Sequence, residues 1–442
     1  GLTSVNLSDV ANGVGGFAIS GMLPGESFGY AVSDAGDMNG DGRTDLVVGA
    51  YGNSTSTGKV YLYETRENFA WQIQKQPQPG SGALRTGLNT SGQEMKITGE
   101  SGSGFGYAFA SGDLNNDGKA DLVVGAPTIG RAYVFYTDGS LASGAANADI
   151  VITGESGGNF GAALTTGDFN TDGKTDLAVG DNVYSTYTGR TYLFYNDGSY
   201  AARAVSADVI ITGSGSYHTF GYALSAGDLN FDGRTDLIAT AYINSAPTNK
   251  AYVFYADGTN NYGTTTCSGT PASCLATDAD VIISGEQSND QFGLSLALGD
   301  FNTDGKMDLA VGAKAYNSGA ANTGRAYIFY NGAITTESSS GADVIITGEG
   351  LNNEFGVALT SGDFNADGRT DLIVAAWLYN AGPATGRAYI FYNDGSYPAS
   401  VPRHQVESAE PRHAGRRGDG LREIIAAAHR RSPRRVLRRT GP

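Results

Sequence analysis

Along most of its length the chain alternates short apolar runs with clusters of Gly, Asn, Asp and Ser, and no run shows the 3.6-residue spacing of an amphipathic helix. Four kinds of run recur in a fixed order. The first opens on Phe-Gly, at Phe28-Gly29, Phe105-Gly106, Phe160-Gly161, Phe220-Gly221, Phe292-Gly293 and Phe355-Gly356, and continues as an alternating stretch such as Tyr-Ala-Leu-Ser-Ala-Gly. The second is Asp-Leu-Val-Val-Gly-Ala or a close variant, a continuous apolar run that reads as a buried strand. The third is Gly-Arg-Ala-Tyr-Val-Phe-Tyr at 130–136, with kin at 58–63, 189–195, 249–255, 324–330 and 386–392. The fourth is Ala-Asp-Val-Ile-Ile-Thr-Gly at 207–213 and 342–348, with relatives at 94–99, 148–154 and 279–285. Turn residues bound every run, and Asp-Gly pairs at 138–139, 197–198, 257–258 and 394–395 follow the third. The pattern predicts an all-β chain with four strands per repeat.

Between the first and second runs lies an Asp-rich loop, and the first Asp of each copy precedes the next by 76, 55, 60, 72 and 63 residues. Four strands at that period predict a β-propeller of four-stranded blades with six recognisable repeats, six- or seven-bladed; a solenoid, the alternative, usually has a shorter repeat. Gly16-Phe-Ala-Ile-Ser-Gly21 resembles a fourth run ahead of the first Phe-Gly. It is therefore expected to complete the last blade and close the ring, which removes exposed sheet edges. Insertions at 65–93 and 259–278 both fall between third and fourth strands, at the rim, where added length is tolerated.

Composition sharpens the boundaries. The net charge of −16 divides into a tail, residues 403–442, with eleven Arg and four acidic residues, and an acidic body with 18 basic and 41 acidic residues. The domain reading is a propeller over 1–401 and a basic tail over 402–442, disordered or out of pattern. The abrupt change where a fourth strand falls due also suggests a seventh repeat lost to a reading-frame shift. Arg417-Gly418-Asp419 sits in this Arg-rich tail and is assigned no role. The acidic body argues against nucleic acid, and no apolar run is long enough for a membrane helix. The chain begins at Gly1 without a signal-peptide pattern, which decides nothing about compartment. The two cysteines, Cys267 and Cys274, share one polar loop and are expected to form a local disulfide, pointing to an oxidising compartment.

The Asp-rich loop carries the chemistry. Its pattern Asp-x-Asn-x-Asp-Gly-(Lys/Arg)-x-Asp holds in all six copies. The candidate ligands are Asp37, Asn39, Asp41, Arg43 and Asp45; Asp113, Asn115, Asp117, Lys119 and Asp121; Asp168, Asn170, Asp172, Lys174 and Asp176; Asp228, Asn230, Asp232, Arg234 and Asp236; Asp300, Asn302, Asp304, Lys306 and Asp308; and Asp363, Asn365, Asp367, Arg369 and Asp371. The first six positions resemble the start of an EF-hand loop: residues 1, 3 and 5 aim three oxygens at one point, Gly at 6 turns the chain, and the basic residue at 7 offers only its carbonyl. Hard oxygen donors in this number suit Ca²⁺, and the crowding of three carboxylates is unfavourable without a cation. The loop is not an EF-hand, since position 12 is never Glu and strands flank it; Asp at position 9 is expected to close the site. An Asx-rich turn holding only its own backbone needs fewer fixed residues. Up to six structural Ca²⁺ ions are expected.

Phe-Gly, the Asp loop and Gly-Ala-Pro at 125–127 together are similar to the FG-GAP repeat of the integrin α-chain N-terminal propeller, over roughly residues 16–400. Only the second copy has Gly-Ala-Pro in full, whereas the Asp loop matches in all six. Nothing resembling other integrin domains follows, and secreted bacterial-type repeat proteins look closer. The resemblance implies Ca²⁺ between first and second strands, and ligands on the opposite face. There the second-to-third connections hold Tyr51, Tyr184, Tyr187, Tyr242, Tyr316, Trp377 and Tyr379, and the fourth-to-first connections hold Tyr217 and His218. Exposed aromatics among amides suit sugar or protein surfaces, while the alternative is that they pack around the central channel. The expected function is a secreted or cell-surface, monomeric, calcium-binding module for adhesion to a protein or glycan ligand. The alternative is the propeller part of a secreted carbohydrate-active enzyme. No catalytic motif is visible: three of the four His lie in the tail and there is no Gly-x-Ser-x-Gly elbow.

Overall fold

A computed structural model describes residues 27–393 except 39, 41, 43, 53–56, 64–95, 138–143, 156, 243–248, 258–266, 318–321, 332–333, 366, 377 and 379–386. The chain divides into two units, 1–402 and 403–442, and every described residue belongs to the first. That unit is a six-bladed β-propeller, six antiparallel sheets set in a ring. Blade one is Phe28–Asp34, Leu46–Ala50, Thr57–Tyr63 and Lys96–Ser101. Blade two is Phe109–Gly112, Asp121–Ala126, Arg131–Phe135 and Ile150–Thr153. Blade three is Ala163–Gly167, Asp176–Asp181, Arg190–Phe194 and Val209–Thr212. Blade four is Phe220–Gly227, Asp236–Ala241, Lys250–Phe254 and Val281–Ser284. Blade five is Phe292–Gly299, Asp308–Ala313, Arg325–Phe329 and Val344–Thr347. Blade six shows Phe355–Gly362, Asp371–Ala376 and Arg387–Phe391. The segment 16–21 that sequence assigns to its fourth strand lies outside the described residues.

Most core side chains cluster between successive blades, while Val48, Ala50, Tyr61 and Tyr63 form a cluster within blade one. Leu122, Val124, Tyr133 and Phe135 of blade two, for example, bury against Val47, Val60 and Leu62 of blade one. The Phe of each Phe-Gly pair is the keystone of its seam. Phe105, Phe160 and Phe220 are fully buried. Each meets the Tyr of its own third strand edge-on at 5.4–5.5 Å, and the Phe two residues later at 6.1–6.3 Å. The Gly of the pair turns through a left-handed φ, +88° at Gly106 and +91° at Gly161, a conformation nearly free only for glycine. Its carbonyl then packs on the preceding blade. A Cβ at Gly49 would overlap the carbonyl of Gly106, and one at Gly125 that of Gly161. The Phe-Gly and Gly-Ala elements are thus two halves of one interblade contact.

Two further devices at the seams escaped the sequence reading. Strand-four glutamates reach across to the next blade's third strand. Arg131 pairs with Glu100 at 2.6 Å, Arg190 with Glu155 at 2.6 Å, Arg325 with Glu286 at 2.7 Å and Arg387 with Glu349 at 2.7 Å. The buried hydroxyls of Tyr133 and Tyr192 donate to the same glutamate oxygens at 2.7 and 2.9 Å, and Tyr389 does so to Glu349. Next, the connection from third to fourth strand hooks in parallel onto the outer edge of the blade before it. Gly144 bridges to Thr98 and Arg203 to Thr153, Ala272–Leu275 pairs with Val209–Thr212, and Glu337–Ser338 pairs with Val281–Ser284. The described part of the cysteine insertion, residues 267–278, is therefore held on a sheet edge. Cys267 and Cys274 are disulfide-bonded and buried, and their segment is a fifth strand on blade three.

Candidate metal centre and ligand face

The Asp loops share one backbone path. Gly at position 6 is left-handed, with φ between +82° and +87° from Gly42 to Gly368. Position 4 is left-handed too: Gly40, Asn116, Thr171, Phe231 and Thr303 take φ of +61° to +76°. A β-branched or bulky residue there is strained, so the turn is held by its side-chain hydrogen bonds.

Those bonds are alike from copy to copy. In the fourth loop the Asp228 carboxylate accepts from the N–H of Asp232 at 3.0 Å and of Gly233 at 2.9 Å. Asn230 Oδ1 also accepts from Asp232 at 2.9 Å, and Asp232 accepts from Arg234 at 3.0 Å. The second, third, fifth and sixth loops repeat each of these contacts. In the first loop Asp37 accepts from Gly40 and Gly42, while Asn39, Asp41 and Arg43 lie outside the described residues. Position 7 also has a side-chain role that was not foreseen: Lys174 Nζ donates to the Asn196 carbonyl at 3.0 Å, and Arg369 to that of Asn393 at 3.2 Å.

Position 9 is the best-buried carboxylate of the loop. Asp121, Asp176, Asp236, Asp308 and Asp371 are wholly covered. Asp236 accepts from the N–H of Leu229 at 2.8 Å, of Asn230 at 3.3 Å and of Ala256, beyond the third strand, at 2.9 Å. This carboxylate therefore ties the loop to its sheet, a role beyond the closing one expected of it. Burial pushes the carboxyl of Asp236 up to about 7 and those of Asp176 and Asp308 up to about 6, against the lowering effect of these N–H donors. The negative charge at position 5 raises them further. Position 2 anchors the loop from below: Met38, Leu114, Phe169, Leu229 and Phe301 are buried between blades. Amides from the following blade clamp it as well, Asn196 donating to the Leu114 carbonyl at 3.0 Å and Asn331 to that of Leu229 at 2.5 Å.

The donor set fits a hard divalent cation. Each loop places three carboxylates and one amide oxygen within nine residues, and the position 5 and position 9 charges repel one another. As the side chains stand, the carboxylates are turned onto backbone N–H groups. Among the described residues no three His, Cys, Asp or Glu side chains converge as a closed cage.

On the opposite face the aromatics named from sequence separate into three kinds. Tyr184 and Tyr316 lie flat on Arg190 and Arg325, each 3.7 Å from guanidinium carbon to ring centroid, and so back the interblade ion pairs. Tyr51 and Tyr242 join the tyrosines that follow Phe-Gly. Tyr30, Tyr51 and Tyr107 have centroids 4.3–5.7 Å apart, and Tyr222 lies 6.1 Å from Tyr242. The first of these clusters joins blades one and two through Tyr107. Tyr187 and Tyr217 stand out into solvent, 47% and 53% exposed and stacked at 6.0 Å with planes 14° apart, and Tyr30 of the first cluster is 50% exposed. His218 lies beside them, its Nδ1 3.1 Å from Ser214 Oγ. Trp377 and Tyr379 lie outside the described residues.

The FG-GAP repeat model matches residues 28–63, 105–135, 292–329 and 355–391, and an FG-GAP-like repeat model matches 168–239. The chain is an FG-GAP repeat protein. Its repeats resemble the propeller of integrin α chains: it is 31% identical to integrin alpha-PS2 of Drosophila melanogaster over 229 residues, 47% of this chain and 15% of that one. Integrin alpha-7 of Mus musculus is 31% identical over 218 residues, 46% of this chain and 18% of that one. Phosphatidylinositol-glycan-specific phospholipase D of Rattus norvegicus is 39% identical over 157 residues, 31% of this chain and 18% of that one. The FG-GAP protein thus spans less than a fifth of the length of these relatives. No described helix is long and apolar enough to cross a membrane.

Proposed function

We propose that this FG-GAP protein is an extracellular, calcium-binding propeller that recognises a protein or glycan ligand on the face opposite its Asp loops. The observation that carries the reading is the contrast between the two faces. One repeats a single loop geometry blade after blade, as a scaffold does. The other differs from blade to blade and presents Tyr187 and Tyr217 to solvent. Binding proteins place variable, aromatic-rich connections on rigid sheets in this way. Likeness to integrin α chains supports adhesion as the setting, and the Cys267–Cys274 disulfide supports an oxidising compartment.

Positions 1, 3, 5 and 9 of each loop, with the carbonyl of position 7, would hold Ca²⁺. The ion supplies positive charge where buried carboxylates crowd and shifts stability by mass action. In the fourth loop these residues are Asp228, Asn230, Asp232, Asp236 and Arg234. A second reading, that the propeller is one part of a secreted hydrolase, is favoured by the similarity to a phospholipase D. A protein and glycan array probed with calcium and with chelator, beside a phosphodiesterase and glycosidase panel, tests both. Calcium-dependent capture of one ligand class is expected; turnover by the purified chain without capture refutes the binding reading.

A further inference from the structure

The seam between blades three and four departs from its neighbours. At the seams of blades one–two, two–three, four–five and five–six, the residue after the strand-four Gly is a glutamate: Glu100, Glu155, Glu286 and Glu349. Each faces an arginine that opens the next third strand. At the remaining described seam, register places Ser214 where the glutamate stands, Lys250 where the arginine stands, and Tyr252 where the tyrosine stands. The Ser214 hydroxyl lies 3.1 Å from His218 Nδ1, and burial together with the Lys250 charge holds that imidazole below its ordinary range. Lys250 makes no ion pair among the described residues. This seam therefore keeps the cation and the phenol of the staple and lacks its carboxylate. Ser214 is open to solvent.

The exposed tyrosine pair borders the same gap. Tyr217 N–H donates to the Thr186 carbonyl at 3.1 Å, Thr219 to Tyr187 at 2.7 Å and Phe220 to Thr188 at 3.1 Å, so the two connections are zipped together. Ser185, Thr186, Tyr187, Tyr217 and Thr219 all sit at left-handed φ between 42° and 63°. Strain of this density in non-glycine residues gathers where side chains are being presented. Here it presents two flat rings at the seam on which Lys250 stands, an ammonium without an ion pair among the described residues.

We propose that this seam binds an acidic saccharide, a uronate whose carboxylate takes the place that glutamate fills at the neighbouring seams and faces Lys250 and Ser214, with the sugar ring resting on Tyr217. A carboxylate is the anion the repeat geometry already accommodates, and an aromatic face suits the C–H side of a pyranose better than a peptide. The proposal rests on the reading of this face as the ligand surface and names its ligand class.

The test is calorimetry on the full chain in calcium buffer with a galacturonate trimer, a neutral galactose trimer and an aspartate-containing peptide. The galacturonate trimer is expected to bind about tenfold or more tightly than the neutral one, and Lys250→Gln to remove that advantage. Ser214→Glu rebuilds the internal staple, so it should abolish uronate binding without lowering the melting temperature. Tyr217→Ala should weaken the uronate about two- to tenfold. Unchanged affinity in Ser214→Glu or Lys250→Gln overturns the proposal, as does equal binding of the neutral trimer or no uronate binding. Tighter binding of the peptide, insensitive to Tyr217→Ala, overturns the saccharide class. A ligand captured on the array by a chain that ignores uronate leaves the broader binding reading standing, whereas silence on every probe removes both.

Discussion

Replacing Glu155 with Gln isolates the charge that ties blade two to blade three. Glu155 Oε1 accepts from Arg190 at 2.6 Å and from the Tyr192 hydroxyl at 2.9 Å, and both charged side chains are about four-fifths covered, at 21% and 22% exposure. Gln keeps the shape and one acceptor but no charge. Hydrogen bonds to charged groups are worth ~1.5–3 kcal/mol and neutral ones ~0.5–1.5, so the expected loss is about 1–2 kcal/mol. Glu100 makes the same two contacts with Arg131 and Tyr133, but there the pair is 42% and 36% exposed and water screens it. Glu100→Gln is expected to cost less than about 1 kcal/mol. Urea unfolding of both variants, with an Arg190→Gln double-mutant cycle on Glu155, measures the difference. The midpoint should fall clearly further for Glu155→Gln at constant slope, with a coupling near 1 kcal/mol. Equal falls at the two seams, or a cycle that is additive within about 0.3 kcal/mol, would refute the claim that these glutamates hold the blades together through charge.

Chelation is expected to lower the melting temperature sharply. Six sites each filled at about tenfold above Kd contribute on the order of 8 kcal/mol in total, and an unchanged melt removes the structural-calcium proposal. In chelator, stability should fall as pH rises from 4 to 7. The folded carboxyls of Asp176, Asp308 and Asp236 titrate at about 6 to 7, above the ordinary value, so the fold holds protons that the unfolded chain has released. Saturating calcium should flatten that slope, and a melting temperature that rises with pH in chelator contradicts it. Phe160→Ala should cost about 3–5 kcal/mol, because the ring fills the seam between Tyr192 and Phe194; a loss under 1 kcal/mol in denaturant unfolding argues against the keystone role.

Sequence exposed the features that repeat within a blade. Strand number, the Phe-Gly and Asp-loop positions and the disulfide all follow from local patterns in which each residue's reason lies a few positions away. The features it hid lie between blades. Glu155 and Arg190 are 35 residues apart, and nothing in either strand marks the other as partner. Asn196 and Leu114 meet across 82 residues. The register of the hooks depends on where a connection lands, which composition does not encode. The same holds for the aromatics: Tyr184 and Tyr187, three positions apart, proved to be a guanidinium platform and a solvent-facing ring. One signal could have found the staples, since Glu follows the strand-four Gly in four of the five described copies, and in blades two to six the third strand opens on Arg or Lys.

The hooks run one way round. Among the described residues, blades two to five each lay the third-to-fourth connection over the edge of the blade before, as slates overlap on a roof. The four seams from blade one to blade five therefore join the same two kinds of edge, the outer strand of one blade and the connection of the next. Cutting out one whole repeat, or copying one in, creates a junction whose two sides already match. Copy number is thus free to change by recombination between repeats without any new complementarity having to arise. The length that varies most from unit to unit, the stretch ahead of the hook, is the part whose ends such an exchange leaves fixed.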